Sequence, residues 1–247
     1  MILTIALKEF RGLFRTPLAW IILALLQFIF AYLYLSGIDA YLAIQPQLAQ
    51  LANPPGITEA IVSPLFGAAA VILLMAVPLF SMRLISEERR NRTIGLLLSA
   101  PVSMSEIVLG KFLGLMLFLA LLIALPAVMA LALYAGGTLD LGLLFANVLG
   151  LLLLTASFAA LGLFISSLTA QPLLAAMGSL GVLLGLWVIN LSAGDPDSAL
   201  HYLSLLKHFE PLNRGLVATG DLAYFCLFTA TFLVLSVRRL DADRLRG

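Results

Sequence analysis

Charge is scarce in this sequence: Asp, Glu, Lys and Arg supply 11% of its 247 residues, while 62% are hydrophobic. Ordinary soluble domains carry about 25% charged and roughly 45–50% apolar residues, so a water-soluble globular fold is excluded. The 14 cations and 13 anions leave a net charge of +1. That is too weak a field to hold a polyanion by counterion release, and nucleic acid is excluded as a partner. The single cysteine, Cys226, lies in an apolar run, so one copy can build neither a disulfide nor a cysteine zinc cluster. Catalytic patterns are missing as well. There is no His-Glu-x-x-His, no Gly-x-Ser-x-Gly, and no Asp or Glu inside an apolar run, which leaves no nucleophile, base or metal ligand at membrane depth. Gly110-Lys111 lacks the preceding glycine of a phosphate-cradling loop, so ATP hydrolysis is not expected of this chain. We read it as a non-enzyme that binds no metal or cofactor itself.

What the sequence has in place of charge is apolar length. A bilayer-crossing helix needs about 20 apolar residues, and spans built on runs that meet or approach this are expected over about 17–37, 60–82, 106–135, 141–168, 172–193 and 215–237, the third around the apolar run Phe112 to Ala135. The last apolar core, Leu222 to Val237, has only 16 residues, about 24 Å of helix against a hydrocarbon core of about 30 Å. Its helix is therefore expected to begin near Gly215. Lipid satisfies no backbone group, so all six runs are expected as helices, bent rather than ended by Pro64, Pro78 and Pro126. The fold class that follows is all-α, a single polytopic transmembrane domain over residues 1–247. Lys8, Arg11, Arg15, Arg83, Arg89, Arg90, Arg92, Lys111, Arg238, Arg239, Arg244 and Arg246 lie beside one set of span ends, and Lys207 and Arg214 beside the other. The acids do not share this bias, and the cation-rich side, with both termini, is expected in the cytoplasm.

Two segments outside the spans are patterned. In residues 1–16, Leu3, Ala6, Leu7, Phe10, Leu13 and Phe14 share one helical face, and Thr4, Lys8, Arg11 and Arg15 the other. This is the pattern of a helix lying in the interface with its cations at the lipid phosphates, and Thr16-Pro17 then supplies a cap and a first-turn residue for the first span. In residues 86–98, Ser86 is expected to cap a short helix with Glu87 and Glu88 at its positive end, Ile94, Leu97 and Leu98 on one face, and Pro101 beyond its end. Such a helix is shaped to enter a groove on another protein. A solvated charged loop resting Leu96 to Leu98 on the bilayer surface is the other reading of the same residues. Ser103-Met104-Ser105-Glu106 has the capping-box pattern that opens the third span.

Glu-Glu-Arg at 87–89, Thr-Ile-Gly-Leu-Leu-Leu-Ser-Ala-Pro-Val at 93–102 and Glu-Ile-Val-Leu-Gly-Lys-Phe at 106–112 together resemble the first cytoplasmic loop of type 2 ABC exporter permeases. His208-Phe209-Glu210, Arg214-Gly215 and Asp221 are similar to the branch of that family containing gliding-motility permeases. The resemblance covers essentially the whole chain. It implies a permease subunit of the bacterial inner membrane that pairs with a second permease copy or homologue and with a separate ABC ATPase. The ATPase would hold ATP and Mg and drive export or mechanical work, and a periplasmic or auxiliary membrane subunit is compatible with this layout. The resemblance makes residues 86–98 the coupling helix, with Glu87, Glu88, Arg89, Thr93, Ile94 and Leu97 contacting the ATPase. It makes residues 1–16 the elbow helix, carrying Lys8, Phe10, Arg11, Phe14 and Arg15.

Within the spans polar residues are few, among them Gln27, Asn147, Thr155, Ser157, Ser166, Ser167, Ser179 and Asn190. That sparseness favours a lipid-like or amphipathic cargo, or the transmission of force without a solute. No residue is assigned to substrate. A secondary transporter with no ATPase partner is the alternative, and the lack of intramembrane carboxylates counts against it. Gly162-x-x-x-Ser166 and Gly181-x-x-x-Gly185 permit close helix approach. His201, His208 and Glu210 form a cluster of ligand-type side chains, read as polar residues at an aqueous interface rather than as a metal site.

Overall fold

The computed structural model describes residues 1–48, 56–93, 95, 102–135, 139–192 and 202–244. Among them all regular structure is helical, and six helices are long and apolar enough to cross a membrane. In chain order the helices are α1 (Ile2–Phe14), α2 (Pro17–Leu48), a π-helical turn (Thr58–Val62) that runs into α3 (Ser63–Ser81), α4 (Ser86–Arg90), α5 (Met104–Ala132), α6 (Leu141–Leu168), α7 (Pro172–Ser192), α8 (Leu205–Asn213) and α9 (Thr219–Arg244).

The bundle is built around α6, which packs against α3, α5, α7, α8 and α9. The most apolar stretches of α6 and of the span containing α3 are 61% buried, against 22% for α7, 17% for α2 and 11% for α9. Asp140 starts α6 by accepting the N–H groups of Gly142 and Leu143 at 2.8 and 3.1 Å, which satisfies two donors that a helix start leaves open. Two glycines then let neighbours reach its backbone. At Gly150 a Cβ would lie 2.9 Å from the Leu212 side chain of α8, and at Gly162 one would overlap Ser81 at the end of α3. Gly162-x-x-x-Ser166 is thus a packing site, whereas a Cβ added at Gly181 or Gly185 of α7 would meet no atom of another helix within 4 Å among the described residues.

Another glycine pair does for α5 what these do for α6. A Cβ at Gly110 would lie 2.7 Å from the Ile5 Cβ, and one at Gly114 would lie 2.7 Å from the Ala6 carbonyl oxygen. The backbone of α1 therefore rests directly on α5. Ala6 is buried, and Phe10, Leu13 and Phe14 pack against the core. Phe14 meets Phe118 of α5 edge-on at 5.3 Å between ring centroids. The face expected to lie in lipid is accordingly divided: its Phe10 and Phe14 side packs on protein, while Leu3 and Leu7 stay exposed. The chain turns into α2 where Thr16 Oγ1 donates to the Leu13 carbonyl at 2.7 Å and Trp20 Nε1 to the Phe14 carbonyl at 2.9 Å.

Three elements differ in extent from those expected. The first span runs on from 37 to Leu48, 32 residues in all and about 48 Å of helix, because loss of hydropathy ends a lipid contact without ending backbone hydrogen bonding. The last begins at Thr219 rather than near Gly215 and continues to Arg244 rather than 237. Gly215 belongs instead to the end of α8, where φ is +85°, and Leu216 and Gly215 donate to the carbonyls of Pro211 and Leu212 at 2.9 and 3.0 Å. This is a Schellman ending with glycine in its left-handed position. The coupling segment, expected as one helix over 86–98, is broken after Arg90 and is helical again at Gly95, with residues 94 and 96–98 outside the described ones.

The two glycine environments lead to opposite effects of one substitution. Gly114→Ala is expected to destabilise the solubilised chain by about 1–3 kcal/mol, since the new methyl meets backbone that must move. Gly181→Ala in open space should stabilise it by up to about 1 kcal/mol through helix propensity. Denaturant unfolding in micelles measures both, and a common sign would contradict the packing described.

Candidate functional site

The site lies at the cation-rich end, where α4 meets α1, α5, α6 and α9. Lys111, expected as a flanking cation, is instead 2% exposed within α5. Its Nζ lies 3.0 Å from Glu9 Oε1 of α1 and 2.7 Å from Glu88 Oε1 of α4. A buried ammonium is tolerable only when it is paired and hydrogen-bonded, and here the two carboxylates come from two different helices. The Gly110 and Gly114 contacts hold α1 close enough for Glu9 to reach.

The next residue ties α4 the other way. Arg89 is ion-paired with Asp243 near the end of α9, and Arg239, one turn earlier, lies 3.8 Å from the same carboxylate. Consecutive side chains of one short helix thus join α1 and α5 on one side to α9 on the other. A third link runs through the backbone. Ser166 Oγ of α6 accepts the N–H groups of Ile85 and Ser86 at 3.2 and 3.1 Å and donates to the Met82 carbonyl at 2.9 Å. Ser86 is therefore not the N-cap. That position falls to Ile85, which caps nothing with its side chain, and the capping oxygen is supplied by Ser166 from another span. Ser86 Oγ turns back to the Met82 carbonyl.

At the far end of α4, Thr93 and Arg92 donate their N–H groups to the carbonyls of Glu88 and Arg89 at 3.0 and 3.2 Å. This is the Schellman pattern again, but the left-handed residue is Arg92, with φ +57°, where glycine is usual. The helix stops because this ending reverses it. The capping box at Ser103 forms as the sequence indicates, with Glu106 N–H donating to Ser103 Oγ at 3.2 Å and Ser103 N–H to Glu106 Oε2 at 3.1 Å.

Of the residues assigned to the ATPase contact, Glu88 and Arg89 are half-buried and bound within the chain, while Glu87 and Thr93 are exposed. Ile94 and Leu97 lie outside the described residues. On α1, Lys8, Arg11 and Arg15 are exposed, and Phe10 and Phe14 face the core. Sequence reasoning missed Lys111, Glu9 and Asp243. The available signal was Gly110-Lys111-x-x-Gly114, a cation between two small residues of one helix face.

At the opposite end, His208 Nδ1 lies 2.7 Å from Asp221 Oδ1 and Nε2 lies 3.1 Å from the Tyr202 carbonyl oxygen. Its ring stacks on Tyr224 at 4.0 Å between centroids. Glu210 pairs with Arg214 one turn along α8, and His201 lies outside the described residues. Both His208 nitrogens are engaged, which gives this cluster a role in fastening α8 to α9.

A family model described as ABC-2 family transporter protein matches residues 3–245. The chain belongs to the ABC-2 transporter family. The match does not single out the gliding-motility branch, and no curated protein gives a match. As an ABC-2 permease it is a polytopic membrane protein of a family that works with ABC ATPase partners and forms dimers.

The Lys111 junction makes a charge prediction for this ABC-2 protein. Lys111→Met leaves two partly buried carboxylates facing each other and is expected to cost about 3–5 kcal/mol. Adding Glu9→Gln and Glu88→Gln should restore most of that in micelle unfolding. Equal losses in the single and triple variants would assign the effect to packing of the lysine stem.

Proposed function

We propose that this chain is the membrane subunit of an ABC exporter, acting as one of two permease chains, identical or homologous, against two separate ATPase subunits that bind ATP and Mg. The observation that carries the reading is that Glu88 and Arg89 link α4 to α1, α5 and α9. A displacement of the segment after α3 reaches three helices through side-chain bonds, as a load path from a cytoplasmic motor requires. In this reading the chain lies in the bacterial inner membrane with both termini and the cation-rich end cytoplasmic. Glu87, Thr93, Ile94 and Leu97 meet the ATPase, and Glu88 and Arg89 pass its motion inward. The chain contributes no catalysis. Its sparse intramembrane polarity suits a lipid-like or amphipathic cargo, or mechanical work with an auxiliary periplasmic or membrane subunit.

Replacing Ile94 and Leu97 together by Asp would bring two unpaired charges to the ATPase contact, at a cost of several kcal/mol. Purification from the native host should recover an ATP-binding subunit with the wild-type chain and lose it with the double variant, while membrane insertion is unchanged. An ATPase retained by the variant would move the contact elsewhere. A wild-type chain that brings none would favour secondary transport.

Orientation is tested separately. In a Cys226→Ser background, a cysteine at residue 46 should react with an impermeant reagent applied from outside the cell, and one at residue 91 should not. The reverse pattern would invert the topology.

A further inference from the structure

Beside α4 lies an open basin of about 790 Å³ between that helix and the turn joining α6 to α7. Arg83, Arg89, Arg90 and Arg92 line it, with Glu87 the one acid among its described lining residues. Arg89 is taken up by Asp243. Arg83, Arg90 and Arg92 are exposed and have no carboxylate partner among the described residues, so three guanidinium groups face one carboxylate. The basin sits where spans end. Arg83 follows the last residue of α3 by two positions, α6 ends at Leu168 and α7 begins at Pro172, which places its mouth at the depth of lipid headgroups. Its other wall, Ala170, Gln171, Pro172 and Leu173, is apolar apart from Gln171. Leu173 is 69% exposed, and Met177, one turn along the outward face of α7, is 63% exposed; beyond them Gly181 and Gly185 leave that face flat.

We propose that this basin binds the phosphate headgroup of an anionic phospholipid in the leaflet at the cation-rich end, with its acyl chains along Leu173 and Met177. The cations are all arginine, whose planar fork pairs with phosphate oxygens two at a time, and basic pockets at the cytoplasmic ends of membrane helices are suited to such headgroups. Arg92 keeps a left-handed backbone in a position that favours glycine, and so places a third guanidinium at the rim. An acidic protein segment arriving from water would meet Arg90 and Arg92, but it would not use Arg83 at the span end or the lipid-facing wall beside it. The inference rests on the spans lying in a bilayer, and the basin shares Glu87 with the proposed ATPase contact.

The test uses the full chain in nanodiscs of phosphatidylcholine, with or without phosphatidylglycerol, followed by native mass spectrometry of retained lipid. Phosphatidylglycerol should be retained about tenfold over phosphatidylcholine. The enrichment should vanish in R83Q/R90Q/R92Q and survive in part in R83K/R90K/R92K. Arg92→Gly serves as the folding control: its Tm in phosphatidylcholine should hold or rise while enrichment falls. Unchanged enrichment in the glutamine variant would overturn the proposal, as would loss confined to variants whose Tm drops in phosphatidylcholine. If inorganic phosphate raises the Tm of the wild-type chain in phosphatidylcholine and no lipid is enriched, the basin is a free-anion site and the lipid assignment fails. If the glutamine variant loses a copurifying ATPase while lipid enrichment persists, the basin is a protein contact and the assignment fails equally.

Discussion

An ammonium group buried in an apolar bundle must bring its counter-charges with it, and much of the cation-rich end follows from that requirement at Lys111. Its position in α5 puts Nζ out of reach of water. The two carboxylates that make it tolerable belong to α1 and α4, so the lysine ties both helices to α5, and the departure of either would cost it one of its two charged hydrogen-bond acceptors. The glycines at 110 and 114 are the steric counterpart of this pairing. They bring the α1 backbone against α5 and so place Glu9 beside the lysine. Charge and close approach thus act on one face of one helix.

Backbone sterics separate the two Schellman endings in the same way. At α8 the left-handed position holds Gly215, whose φ of +85° meets no steric resistance for want of a Cβ. At α4 it holds Arg92, which carries a steric penalty for the same reversal. The first ending closes a helix whose buried Leu205, Phe209 and Leu212 already commit it to α6. The second closes a helix of five residues that has almost no core of its own and is held by ion pairs and by the hydroxyl of Ser166. An element held chiefly by polar links at its ends can shift as a unit when those links are pulled.

How much of this is legible in the sequence depends on the range of the interaction. The six membrane helices are readable from hydropathy, since lipid leaves each run no alternative to helix. The capping box at Ser103 is readable because all its atoms lie within four residues. Ser86 looks like a cap for the same local reason, yet the oxygen that serves the start of α4 is on Ser166, 80 positions away in sequence. Lys111 reads as a flanking cation because charge near a span end normally faces water. Only the fold shows that α1 covers it. The ending at Arg90 is hidden because arginine gives no sign of a left-handed backbone.

The polar links of α4 are also incomplete. Glu88 Oε2 and Arg89 Nε are buried without a hydrogen-bond partner among the described residues, so each side chain holds its neighbour with part of its capacity. A junction whose donors and acceptors were all satisfied would resist any rearrangement by the full cost of exposing them. With spare acceptor and donor sites on adjacent residues, α4 can exchange one set of bonds for another at lower cost, while Lys111 stays neutralised by whichever carboxylate remains. For a segment proposed to carry motion into the membrane, that partial satisfaction supplies the compliance that rigid packing around α6 does not.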